Sequence, residues 1–115
     1  MQPTRLCNLM LKLTLIAGAT VAHAEMKPAD VNAAHALFAN NGCASCHDIN
    51  GKSGGPSMRA VAQRYRGKKI GTELANRIRE GSIGRWGNEE AHPPVGVLEP
   101  AEAKLLATWI LSGAP

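Results

Sequence analysis

The chain has 115 residues, 13 of them Lys or Arg and 9 Asp or Glu, for a formal net charge of +4. That length admits one small domain, and the charge is too weak to argue for a nucleic-acid partner. With one Phe, one Tyr and two Trp, the chain has few large side chains for a core, and a domain this small commonly needs a staple.

The amino terminus reads as an address rather than as part of the fold. Arg5 and Lys12 make a positive segment, Leu13 to Ala22 is an apolar run too short to span a bilayer, and Ala22-His23-Ala24 is an A-x-A cleavage site. Residues 1–24 are therefore expected to be a cleaved secretory signal peptide and residues 25–115 the working domain; a short membrane anchor is the competing reading. Cleavage removes Cys7 and leaves Cys43 and Cys46, with 11 basic residues against 9 acidic ones, a net of +2. Such a domain would be periplasmic, with no stable membrane insertion.

Pro28 and Asp30 open a first helix, with Val31, Ala34, Leu37 and Phe38 at helical spacing and Asn40-Asn41-Gly42 as its stop. Cys43-Ala44-Ser45-Cys46-His47 follows at once. It is the C-x-x-C-H attachment sequence for c-type haem: two thiols can add to the vinyl groups on one porphyrin edge, and the next residue is carried under the iron. A structural disulfide, half of a zinc site and a thioredoxin-like pair are the alternatives. No second Cys/His cluster follows, and the flanks read as helix and Gly-rich loop rather than strand.

Residues 48–56 are loop. Ser57 caps a short helix over Met58, Val61, Ala62 and Tyr65 that ends at Gly67. Thr72 and Glu73 begin another, over Leu74, Ala75 and Ile78, stopped at Gly81. Ser82 to Leu98 show no periodicity and make a loop long enough to suggest function. Pro100 starts a last helix with Ala101, Leu105, Leu106, Trp109 and Ile110 on its buried side, ending at Ser112-Gly113. No strand or repeat is predicted. The fold class is all-α, about four helices around one covalent haem, whose apolar surface would make good the scarcity of aromatics. Lys52, Arg59, Arg64, Arg66, Lys68 and Lys69 form a basic middle and Glu89, Glu90, Glu99 and Glu102 an acidic end. The basic group can steer an acidic redox partner or be an ordinary solvated surface.

On Leu37-Phe38, Gly42 to His47, Gly55-Pro56, Arg77-Ile78, Gly81-Ser82, Trp86-Gly87 and Ala107 to Leu111, residues 27–113 resemble the small bacterial class I cytochromes c. The resemblance implies thioethers at Cys43 and Cys46, His47 as proximal axial ligand, and a hydrogen bond from its other nitrogen to the Pro56 carbonyl. It also implies a Trp86 indole near a haem propionate, and Trp109 against Phe38 where the first and last helices cross.

One departure stands out. The family places its axial methionine just before Pro-Pro, and here His92 precedes Pro93-Pro94. Three readings of the sixth ligand follow: His92 on the iron, a five-coordinate or water-bound iron with His92 as a distal polar group, or Met58 reaching the iron. The first leads, because imidazole is a good iron ligand and two prolines stiffen its approach. Glu89 or Glu90 could then accept the His92 Nδ1–H. Bis-histidine ligation implies a potential below that of a His/Met relative, and a periplasmic one-electron carrier serving a redox protein or an oxidoreductase subunit, not an enzyme. A haem protein that binds or senses a small ligand, a dedicated cytochrome subunit of a periplasmic oxidoreductase, and a peroxidase-like enzyme are the other readings. The last would need an open iron site.

Overall fold

The computed structural model describes Gly18, residues 25–87 and residues 91–115. The expected signal peptide, Gly18 apart, and the pair Glu89 and Glu90 lie outside the described residues. Among the described residues, no helix is long and apolar enough to cross a membrane.

Four helices form where the sequence punctuates them. Helix α1 spans Pro28–Asn40, with proline in the first turn, where its missing N–H is harmless. Its end is held twice at one carbonyl, by the Asn41 backbone N–H at 3.1 Å and the Asn41 side-chain amide at 2.8 Å from Leu37 O. Gly42 then turns the chain at φ 75°, a left-handed conformation that glycine adopts without strain.

Helix α2 spans Met58–Arg64, and the Ser57 hydroxyl accepts the Ala60 N–H at 3.1 Å. Ser57→Ala is expected to remove this cap and lower stability by about 1 kcal/mol, read as a lower urea midpoint at constant slope. Tyr65 is the C-cap of α2 rather than a member of it.

Helix α3 spans Gly71–Glu80, starting one residue before Thr72, and carries the i,i+4 pair Glu73–Arg77. Helix α4 spans Pro100–Leu111, and the Glu99 N–H donates to the Glu102 carboxylate at 2.9 Å across its first turn.

Helix α4 packs on all three of the others. Its buried side is Ala103, Leu106, Ala107, Trp109 and Ile110, whereas Leu105 is half-buried and Ala101, expected inside, is exposed. The small residues Ala34 and Ala107, both fully buried, let α1 and α4 approach closely. Trp109 fills the crossing, its ring 5.5 Å from Phe38 and 5.0 Å edge-on from His35. The Trp109 Nε1–H and the His35 Nε2–H both donate to the Pro115 backbone oxygen, at 2.9 and 2.8 Å, which folds the end of the chain back over this crossing.

The stretch from Ser82 to Leu98 is not wholly irregular. Two-residue strands β1 (Ser82–Ile83) and β2 (Ala91–His92) pair antiparallel, Ser82 opposite His92 and Ile83 opposite Ala91. Strands this short leave no alternation to detect in sequence. The ladder fixes His92 against the C-terminal end of α3.

Candidate functional site

Helix α1 runs directly into a 3₁₀ turn, Cys43–Ser45, closed by the Cys46 and His47 N–H groups on the Cys43 carbonyl at 3.2 and 2.9 Å. This one-turn wrap projects Cys43, Cys46 and His47 into one cavity of about 280 Å³. Cys43 is half-buried and Cys46 exposed, and both are free thiols. Burial pushes the Cys43 thiol up from its ordinary value, the opposite of the electropositive setting that activates a thioredoxin-type thiolate.

His47 is held from two sides. Its Nδ1 lies 2.7 Å from the Pro56 carbonyl. A carbonyl only accepts, so Nδ1 bears the proton and the Nε2 lone pair is free for a metal. The imidazole also lies against Gly55, where an added Cβ would be 2.5 Å from Cε1 and 2.9 Å from Nδ1. The loop is pinned back by the Gly55 N–H on the Cys46 carbonyl at 2.6 Å and by the Met58 N–H on the Asp48 carbonyl at 2.9 Å.

His92 faces His47 across the cavity, their ring centroids 5.9 Å apart and their planes inclined by 35°. Two imidazoles on opposite sides of one metal, with bonds of about 2 Å and the ligating nitrogen about 1.1 Å from its ring centroid, stand about 6 Å apart. The observed separation admits one iron. Burial, and then the nearness of His47, hold the His92 imidazole below its ordinary pKa, against a smaller opposing effect of the Pro93 backbone. It is thus neutral at neutral pH, the form that binds a metal. Its Nδ1 is buried with no hydrogen-bond partner among the described residues.

Gly81 is what lets His92 sit there. It adopts φ 83°, ψ 173°, a region open essentially to glycine alone, and a Cβ on it would be 2.7 Å from the His92 carbonyl oxygen. Gly81→Ala is expected to cost about 1–3 kcal/mol and to displace β2, measured together as a lower melting temperature and a changed haem spectrum.

Met58 lines the same cavity but is buried in the hydrophobic core with Val61, Leu74 and Leu106, at the first turn of α2. Trp86 lines the cavity too, and the Arg64 guanidinium stacks on it 4.4 Å from its centroid. Leu74, Ile78, Val95, Leu106 and Ile110 supply apolar walls.

Sequence analysis missed the polar members of the wall. Arg77 donates to the Tyr65 hydroxyl at 3.1 Å and pairs with Glu73, and its Nε is buried without a partner among the described residues. Arg85 lies beside Trp86 on the cavity. The available signal was the interleaving of Arg with aromatics in Arg64-Tyr65-Arg66 and Arg85-Trp86.

A porphyrin fits this donor set: two thiols on one edge, a bare imidazole nitrogen below, a second imidazole above, and apolar walls with cations among them.

Residues 31–114 match the profile of the family described as Cytochrome c. The chain is similar to cytochrome c-552 of Hydrogenobacter thermophilus, 44% identical over 77 residues, 66% of this chain and 76% of that one. It is 37% identical to cytochrome c-551 of Pseudomonas aeruginosa over 114 residues, 97% and 98% of the two chains. The crystal structure of Nitrosomonas europaea cytochrome c552 superposes with a TM-score of 0.64 at 38% identity, covering 68% of this chain and 96% of that one.

Proposed function

The chain belongs to the cytochrome c family, and from that membership we propose that it is a periplasmic carrier of single electrons whose iron is held between His47 and His92. Membership brings one covalently bound haem c and the role of an electron carrier between redox partners, not of an enzyme. The haem supplies the one-electron Fe(III)/Fe(II) couple. Everything else is done by the chain.

Cys43 and Cys46 hold the ring as thioethers. His47 is the proximal ligand, oriented and made more basic by the Pro56 carbonyl. His92 is the distal ligand, and Trp86, which lines the cavity, would offer its indole N–H to a propionate. With His47 and His92 both offering an imidazole nitrogen, the iron would keep its ligands through the one-electron change, so little in the chain need move. The stronger donor favours Fe(III), which makes this a low-potential carrier. Residues 1–24 serve as the export signal, removed before residues 25–115 fold around the haem.

The observation that supports this reading is the 5.9 Å separation of two imidazoles across the cavity that both cysteines line. Absorption and EPR spectra of the purified oxidised protein test it. Low-spin iron with two nitrogen ligands is the expected result; a sulfur-ligated or high-spin iron would overturn the assignment of His92. A properly folded but colourless protein would overturn the assignment of both cysteines. The Nδ1 of His92, unpartnered among the described residues, favours a second reading, a haem that exchanges His92 for a small ligand; rapid carbon monoxide binding to the reduced protein would establish it in place of the carrier.

A further inference from the structure

The stretch that carries His92 is fastened to the end of α3 in three places. The ladder pairs His92 itself with Ser82. Past Pro93-Pro94, the Val95 N–H donates to the Ile78 carbonyl at 3.0 Å. The third fastening is a side chain: the Arg79 Nε–H donates to the Leu98 carbonyl at 3.0 Å. The Leu98 N–H turns back onto the Val95 carbonyl at 3.2 Å, so the second and third fastenings share one turn. The Leu98 side chain is 2% exposed and belongs to the core with Leu74 and Leu106.

The two arginines in the last turn of α3 therefore have different partners. Arg77 bonds to Tyr65 and Glu73, whereas Arg79, half-buried, bonds to the loop. The bonds at Ser82 and Val95 are backbone to backbone, but the one at Leu98 depends on a single side chain. It is a strong bond of its kind, because the donor is charged and stands at a helix C-terminus, where a cation is favoured. Pro93 and Pro94 have no N–H and a fixed φ. A movement that frees Val95 and Leu98 is passed along this stiff pair to His92 rather than absorbed.

We propose that Arg79 is the positioning residue for the distal ligand: its bond to Leu98 holds residues 93–98 against α3 and so sets how often His92 leaves the iron. The proposal rests on His92 as the distal ligand and adds the residue that governs its release. Local opening of this kind has its own free energy, separate from that of global unfolding. Breaking one charged hydrogen bond should therefore favour the open loop without unfolding the helices. Arg79 touches neither His92 nor the cavity, so its effect is on the frequency of release and not on the strength of the imidazole as a donor.

The test is the limiting rate at which cyanide enters the oxidised, haem-loaded protein, followed by stopped-flow absorption, together with hydrogen exchange of the Val95 and Leu98 amides. Arg79→Gln is expected to raise both rates about tenfold and to leave the low-spin resting spectrum unchanged. Arg79→Lys keeps the charge but sets a methylene where Nε stands, and is expected to raise both rates as well. Wild-type rates in Arg79→Lys would overturn the proposal, because charge at the helix end and not the bond would then hold the loop. Ser112→Ala removes the hydroxyl bond to the Trp109 carbonyl at the other end of α4 and is expected to lower the melting temperature without changing the cyanide rate. Equal acceleration in Ser112→Ala and Arg79→Gln would overturn the proposal, because lost stability would explain both. Faster amide exchange in Arg79→Gln with an unchanged cyanide rate would overturn the link from Leu98 to His92. An oxidised wild type that is high-spin before cyanide is added would instead sink the ligation by His92 beneath it.

Discussion

Substituting methionine for His92 is expected to raise the midpoint potential of the haem by on the order of 0.1–0.3 V, a fraction of the roughly 0.8 V over which axial ligands move it. An imidazole is the stronger σ-donor and stabilises Fe(III), whereas a thioether is soft and favours Fe(II). Nothing else in the site need change. The pairing of Ser82 with His92 and the stiff Pro93-Pro94 that follows belong to the backbone, so the new side chain starts from the same point. A redox titration of wild type and His92→Met, both with haem attached, reads the shift directly. No shift would mean that residue 92 does not touch the iron in the native protein.

A companion variant removes the ambiguity of a ligand that fails to reach. His92→Ala should turn the oxidised iron high-spin, and added imidazole should return it to low spin by entering the space left. If His92→Ala keeps a low-spin spectrum without imidazole, another residue is the ligand, and Met58 on the cavity wall is the candidate.

The contrast between His47 and His92 explains how far sequence could be trusted here. Everything about His47 is local: two cysteines at fixed offsets, a helix stop at Gly42, and Gly55-Pro56 eight and nine residues on. Local spacing survives translation into structure, and the Nδ1 bond to Pro56 lies within one loop. The four helices were legible for the same reason, since Pro28, Ser57, Gly81 and Pro100 are local start and stop signals.

His92 is different. Its place opposite His47 depends on a two-residue ladder to Ser82 and on the missing Cβ of Gly81, which leaves room for the His92 carbonyl oxygen, partners ten and eleven residues away in sequence. Two-residue strands carry no periodicity, so that loop read as irregular and only the resemblance pointed to residue 92. Ala101 misled because it shares the helical phase of Leu105, which is itself only half-buried at the edge of the face that α4 buries. The cations around Tyr65 and Trp86 were visible as composition, but that Arg77 of α3 would reach the same ring as the local neighbours Arg64 and Lys68 needed the tertiary structure.

Gly55→Ala is expected to damage the proximal side more than its single methyl suggests. Gly55 is not among the glycines at positive φ, so alanine brings no backbone penalty and the whole effect is the contact. The added Cβ would stand 2.5 Å from His47 Cε1, 2.9 Å from Nδ1 and 3.2 Å from Nε2. One of the two must move, and neither is free to. The imidazole is tied to the Pro56 carbonyl at 2.7 Å and follows Cys46 in the chain, while the Gly55 N–H is bonded to the Cys46 carbonyl at 2.6 Å. Overpacking of this kind costs about 1–3 kcal/mol, and losing the Nδ1–H bond adds about 1 kcal/mol. Tilting the ring also turns Nε2 away from the iron, so the variant is expected to assemble poorly with haem, melt at lower temperature and show an altered axial spectrum. Gly54→Ala is the matched control, because a Cβ there would meet Cys46 atoms no closer than 3.6 Å, ordinary van der Waals contact. If the two alanine variants fold and take up haem alike, the proximal imidazole is not held by the packing described.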